Sequence, residues 1–227
     1  MTLHLQVEFA VQFSGENASD AIQSVLQDVG TVDINAKMGR VIVETENVPW
    51  NEIQQRIEGT GRRAVLTGFG GKSCVSIVSS DKVNETKGVI RFCAVSDASN
   101  SGCVIDGAVD GLTPNSKLEI NVHEYGDVSS GCESVGNIFE QSSYTDKEVS
   151  SDANGALSFR LLDQHLNVSD LIGRSVVISN ADSKERLACG IIARSAGIFE
   201  NYKKICACDG VTLWEERDKT LAGKGKI

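Results

Sequence analysis

Two sulfurs separated by one residue, in Cys206-Ala207-Cys208, are the strongest chemical signal in this chain. In extended backbone, residues i and i+2 point to the same face, so both thiolates can close on a single ion. Paired thiolates favour a soft ion such as Cu(I) over Mg, Ca or Mn. Lys203 and Lys204 just upstream favour thiolate over thiol, with Asp209 partly opposing them. The spacing also permits redox chemistry, because extended residues two apart have Cα atoms about 6.6 Å from each other, near the outer limit for a disulfide. A bridge across them would be strained and therefore oxidising. Spacing alone does not exclude two inert tail residues; the shared face and the basic neighbours argue against that. The pair is read as a site that holds Cu(I) weakly enough to pass it on, or that exchanges disulfides with another thiol.

The remaining donors are sparse. Seven cysteines, at 74, 93, 103, 132, 189, 206 and 208, make an odd and irregularly spaced set, unlike a small secreted disulfide framework. Cys74, Cys93 and Cys103 fall in strand-like runs and are read as core fillers. Only three histidines occur, His4, His123 and His165. A formal charge of −9 argues against nucleic acid or an anionic membrane surface as partner. No apolar run approaches the ~18 residues of a membrane span. The N-terminus lacks the basic start and cleavage region of a secretory signal, so a cytoplasmic location with mostly reduced thiols is expected.

The elements that must position the dithiol fall into three stretches. Over 1–71 the order is strand, helix, strand, strand, helix, strand: Leu5, Val7, Phe9 and Val11 alternate, Ala18 to Val29 and Trp50 to Gly59 carry helical spacing, and Met38-Gly39 marks a tight turn. This βαββαβ order predicts a ferredoxin-like α+β domain. After the hinge-like Gly68-Phe69-Gly70-Gly71, residues 72–195 read as short strands broken by Gly, Asn, Asp and Ser, the rhythm of an all-β sandwich or Greek-key barrel. Residues 196–227 have too few apolar side chains for a core, and form a short irregular C-terminal tail expected to order only against the barrel or a partner.

Several motifs carry a resemblance over nearly the whole chain. Asn121-Val122-His123-Glu124-Tyr125-Gly126-Asp127, Gly131-Cys132, Gly173-Arg174-Ser175-Val176-Val177 and Arg186-Leu187-Ala188-Cys189-Gly190 resemble the Cu,Zn superoxide dismutase barrel. Glu58-Gly59-Thr60-Gly61-Arg62 before it, and Cys206 through Arg217 after it, are not dismutase features; with the barrel they resemble the copper chaperones for superoxide dismutase. The resemblance implies a metallochaperone-like first domain, a dismutase-like Greek-key barrel that docks the client, and a tail whose cysteine pair transfers copper.

The departures matter as much. The first loop of the family carries Met-x-Cys-x-x-Cys, whereas here Gly15 and Ala18 stand at the thiol positions, so the first domain is not expected to bind copper by that route. Asn121 replaces the first histidine of a dismutase His-x-His, and the segment from Cys132 to Asn154 holds no histidine. Zinc is therefore not expected, nor is superoxide dismutase activity. His123 is read as a leftover polar residue at a strand end.

By the same resemblance Cys132 and Cys189 match the internal disulfide of the dismutase, and Arg186 braces the barrel near Cys189. The loop about Gly131 and the segment Gly190, Ile191, Ile192 and Arg194 match the dismutase dimer edge; an alternating strand would bury one of the two isoleucines in any case. The chain is thus expected to be a metallochaperone that forms a heterodimer with immature Cu,Zn superoxide dismutase. It would deliver Cu(I) through Cys206 and Cys208 and promote the client's disulfide. A homodimer of the free chain stays open, as does the alternative of a thiol–disulfide oxidoreductase that carries no copper.

Overall fold

A computed structural model of the chain describes residues 5–80, 86–95, 102–144, 146–202, 204 and 210–218. Two compact units are present, one combining the first 71 residues with the described part of 196–218, the other spanning 72–195.

The first unit contains β1 (Leu5–Val11), α1 (Ala18–Leu26), β2 (Gly30–Asn35), β3 (Arg40–Thr45), α2 (Trp50–Glu58) and β4 (Ala64–Phe69). Its antiparallel sheet has the order β2-β3-β1-β4, which with two crossover helices is the expected ferredoxin-like arrangement. Val7, Phe9 and Val11 point from β1 into a core shared with Ile22, Leu26, Ile53 and Ile57, all buried. The period-two pleat puts Glu8 on the opposite face, yet Glu8 is also buried, at 1% exposure. The first helix ends at Leu26, short of the Val29 that its spacing predicted; Gly30, at φ 152°, instead starts β2, and a Cβ there would meet the Glu44 carbonyl oxygen at 1.9 Å.

What covers Glu8 is the tail. Phe69 N donates to the Ala196 carbonyl at 3.3 Å, and Phe69 and Gly197 form a parallel bridge on the open edge of β4. Gly68 permits this crossing, since a Cβ at that position would lie 2.4 Å from the Gly197 carbonyl oxygen. Further on, Leu213–Asp218 forms α4, which packs on β4. Thr212 and Glu215 cap it reciprocally: Glu215 N donates to Thr212 Oγ1 at 3.2 Å, and Thr212 N donates to Glu215 Oε2 at 2.8 Å. The described tail therefore packs on the first sheet, where the sequence suggested the barrel or a partner.

The second unit contains β5 (Ser73–Ser79), β6 (Lys87–Ala94), β7 (Cys103–Asp110), β8 (Lys117–His123), β9 (Ser129–Cys132), β10 (Glu148–Ser150), β11 (Leu157–Asp163), α3 (Val168–Leu171), β12 (Ser175–Asn180) and β13 (Arg186–Arg194). Eight antiparallel strands run in the order β10-β8-β12-β13-β5-β6-β7-β11. The end strands β10 and β11 are consecutive and joined by the tight turn at Asp152, so the barrel is nearly closed. Cys74, Ile90, Phe92, Ile105, Leu118, Ile120, Val176, Ile178 and Ile192 fill its interior. At one end the Lys147 ammonium lies 2.9 Å from Asp163 Oδ2, both side chains almost fully buried.

Candidate functional site

Cys206 and Cys208 lie outside the described residues, but both their flanks are described. Lys204 and Leu213 are joined by a hydrogen bond, Leu213 N donating to the Lys204 carbonyl at 2.9 Å. Upstream, Phe199 N donates to the buried Glu8 Oε2 at 2.7 Å, and the Arg40 guanidinium sits 5.4 Å from the Phe199 ring and 4.6 Å from the Tyr202 ring. Downstream, Arg217 binds Glu58 Oε1 at 2.7 Å and Asp218 binds Arg63 at 2.9 Å. The Thr212-x-x-Glu215 capping signature could have announced α4 from sequence; the Glu8 contact, 191 residues apart, carries no local signal.

On the barrel, Cys132 and Cys189 form a disulfide with their Cα atoms 5.6 Å apart, packed with Val135 and Val177. Arg186 does brace this region: its Nη1 donates to the Cys132 carbonyl at 2.7 Å and its Nη2 to the Gly136 carbonyl at 2.9 Å. The loop is thus tied to β13 by one covalent and two charge-assisted bonds. Cys74, Cys93 and Cys103 are buried free thiols. Burial pushes the Cys74 thiol up to about 12, and raises Cys93 and Cys103 as well, which keeps all three protonated and unreactive.

The expected client edge divides on inspection. Ile191 is 44% exposed, whereas Ile192 is 1% exposed and packs in the barrel core. Ile192 is therefore corrected from an interface residue to a core residue, because the pleat of β13 turns it inward. Gly190 is buried and lets β5 approach: a Cβ there would meet the Ile77 carbonyl oxygen at 2.0 Å. Gly131, half-buried, adopts φ 62° within β9, next to Cys132. Arg194 is exposed at the end of β13. Around these residues lies an apolar groove of about 410 Å³, lined by Val75, Ile77, Val128, Gly190, Ile191 and Ala193, with Cys189 at its floor. Ile77 at 72% and Val128 at 39% exposure extend the apolar surface.

The donors of a dismutase copper–zinc site do not fit this barrel. His123 is 4% exposed and its Nδ1 lies 3.0 Å from the Gly136 carbonyl oxygen, a bond made by the neutral imidazole as donor. Burial also lowers its pKa below the ordinary range, and the Arg186 charge adds to this. Asn121 stands two residues before it. His165 lies in the loop between β11 and α3, its ring meeting Tyr144 edge-on at 5.4 Å between centroids. Among the described residues no group of three His, Cys, Asp or Glu side chains is arranged to hold a metal. Among them, too, no helix is long and apolar enough to cross a membrane.

The chain combines a ferredoxin-like unit and a C-terminal Cys-x-Cys with a dismutase-type barrel. Residues 86–192 match the copper/zinc superoxide dismutase family. Over 97% of its length the chain is 37% identical to the human copper chaperone for superoxide dismutase, covering 92% of that protein. It is 32% identical to the superoxide dismutase 1 copper chaperone of Debaryomyces hansenii over 98% of both chains, and 29% identical to that of Saccharomyces cerevisiae over 97% of both. The chain belongs to the copper chaperones for superoxide dismutase.

Proposed function

We propose that this protein carries Cu(I) on Cys206 and Cys208 to immature Cu,Zn superoxide dismutase and then promotes the client's internal disulfide. The observation that carries the reading is a two-sulfur motif in a chain related, end to end, to proteins named as copper chaperones for superoxide dismutase. The barrel acts as the docking module and turns over no superoxide itself. Its contact face is the groove lined by Gly190 and Ile191, extended in this reading to Gly131 and Arg194, and the apolar centre suits a heterodimer with a dismutase subunit.

Docking makes transfer intramolecular. A tethered thiol reaches an effective concentration of about a millimolar, so a weak dithiol site suffices. Copper moves by ligand replacement, each client donor displacing one tail sulfur in turn. Disulfide formation balances as exchange: a client thiolate attacks an oxidised Cys206–Cys208 pair, and the second client thiol releases the tail. Two electrons pass from the client thiols to the tail pair, which a two-electron acceptor such as dioxygen must first oxidise once its copper has left. Three buried free thiols alongside one disulfide suit the cytoplasm as the place of work.

The test is a Cu(I) titration against a competing chelator, comparing wild type with Cys206→Ser/Cys208→Ser. The wild type should hold copper that the variant does not. Equal affinity would reject the tail as the copper site and leave only the disulfide-exchange reading, which a cell-free assay of dismutase maturation would then examine.

A further inference from the structure

The first loop of this unit carries Gly15 and Ala18 and no thiol, yet its sheet presents a face that grips the tail. We infer that this unit serves as the docking platform for the tail, gripping both flanks of the Cys206–Cys208 segment, with Glu8 and Arg40 on one side and Glu58 and Arg63 on the other. This function goes beyond copper delivery.

Four observations converge on it. Glu8 is a carboxylate in the middle of a strand, 1% exposed, and it is occupied on both oxygens: Thr67 Oγ1 donates to Oε1 at 2.9 Å and Phe199 N to Oε2 at 2.7 Å. A buried carboxylate is costly unless fully hydrogen-bonded, so lifting residues 197–202 would break a bond that the sheet's own residues do not replace. Phe199 holds φ 61°, a backbone region that side-chain-bearing residues avoid, and it is held there at the Glu8 contact. Arg40, itself 9% exposed with its Nε 3.8 Å from Glu8 Oε1, stacks under the Phe199 and Tyr202 rings. On the second flank, Glu58, Arg217, Asp218 and Arg63 form an unbroken chain of opposite charges.

Covalent reach gives the platform its consequence. Extended chain spans about 3.5 Å per residue, so while Lys204 and Thr212 are held, Cys206 stays within about 7 Å and Cys208 within about 14 Å of a held residue. Released back to Ala196, Cys206 would range over about 35 Å. The first unit therefore acts as a carrier that sets where the dithiol can be presented, and its four gripping residues are positioning residues.

Charge reversal tests this in the full chain. Glu58 and Arg217 are both partly exposed, so Glu58→Arg and Arg217→Glu leave both cores intact. Hydrogen exchange is read on segments 196–202 and 211–218, with no copper or client present, so its outcome is independent of the copper-transfer reading. Either single reversal should speed exchange of the 211–218 amides about tenfold, and the double reversal should restore it to within about threefold. Phe199→Ala/Tyr202→Ala should likewise free 196–202 while barrel amides are unchanged. Tail exchange equally fast in wild type and single reversals, or no rescue by the double reversal, would overturn the inference.

Discussion

Ile191 and Ile192 are neighbours in β13 that face opposite ways, the first 44% exposed beside the apolar groove and the second 1% exposed in the barrel core. One substitution type at the two positions therefore separates docking from folding. Ile191→Asp should leave barrel stability within about 0.5 kcal/mol and weaken association with immature dismutase at least about tenfold, as a charge at an interface centre does. Ile192→Asp should instead destabilise the barrel by about 4 kcal/mol or more, because it buries an unpaired charge. Sedimentation with the client and hydrogen exchange of barrel amides in urea would measure the two effects. Unimpaired association of Ile191→Asp would remove the groove from the docking face.

The Cys132–Cys189 bridge closes 57 residues of sequence, and chain-entropy arguments put its contribution at about 4 kcal/mol. Cys189→Ser, or reduction of the wild type, should lower barrel stability by about 2–4 kcal/mol. Exchange protection should fall first around Ser129–Cys132, the segment that loses its covalent tie to β13 and keeps the Arg186 bonds. Barrel amides are the appropriate probe, since both tryptophans, Trp50 and Trp214, belong to the first unit. Identical protection before and after reduction would mean that the bridge adds nothing to the packing of Val135 and Val177.

Thiol reactivity should sort the cysteines by location. Cys74, Cys93 and Cys103 are buried with raised pKa values, so at pH 7 they should resist alkylation until the barrel unfolds. Cys206 and Cys208 are expected to react in the native, reduced protein. Mass spectrometry after a short iodoacetamide pulse, with and without urea, distinguishes the two sets. Rapid native labelling of Cys74 would show that the barrel opens locally along β5.

The parts legible in the sequence are those written in local periodicity. β4 and β8, Ala64–Phe69 and Lys117–His123, are runs bounded on both sides by turn residues. β10, only Glu148–Ser150, is too short for a period-two signal and exists because β8 offers an edge. The inward turn of Ile192 follows from register, which two adjacent isoleucines do not reveal. The grip of Glu8 on Phe199 was least legible: a charged residue in an alternating strand reads as solvent-facing, and only the returning tail makes it a buried anchor. Cys206 and Cys208 signal chemistry through residue type and spacing alone, since both lie outside the described residues.

His123 should give the barrel a pH-dependent stability that its dismutase-like position would not suggest. Its pKa is depressed from the ordinary 6.5 chiefly by burial, opposed by the Gly136 carbonyl and reinforced by the Arg186 charge, with Glu124 pulling slightly upward. Above the ordinary value the ring is neutral in both folded and unfolded chains, and stability is at its full level. As pH falls below it, the unfolded chain takes up the proton first. Stability then declines with a slope of at most about 1.4 kcal/mol per pH unit, levelling off once the folded ring is also protonated. Urea-dependent hydrogen exchange of barrel amides at pH 7, 6 and 5, corrected for intrinsic exchange, should show this loss in wild type. His123→Gln removes the titrating ring and should flatten the dependence while keeping a donor for the Gly136 carbonyl. Parallel pH curves for the two proteins would mean that His123 is already accessible to protons in the native barrel.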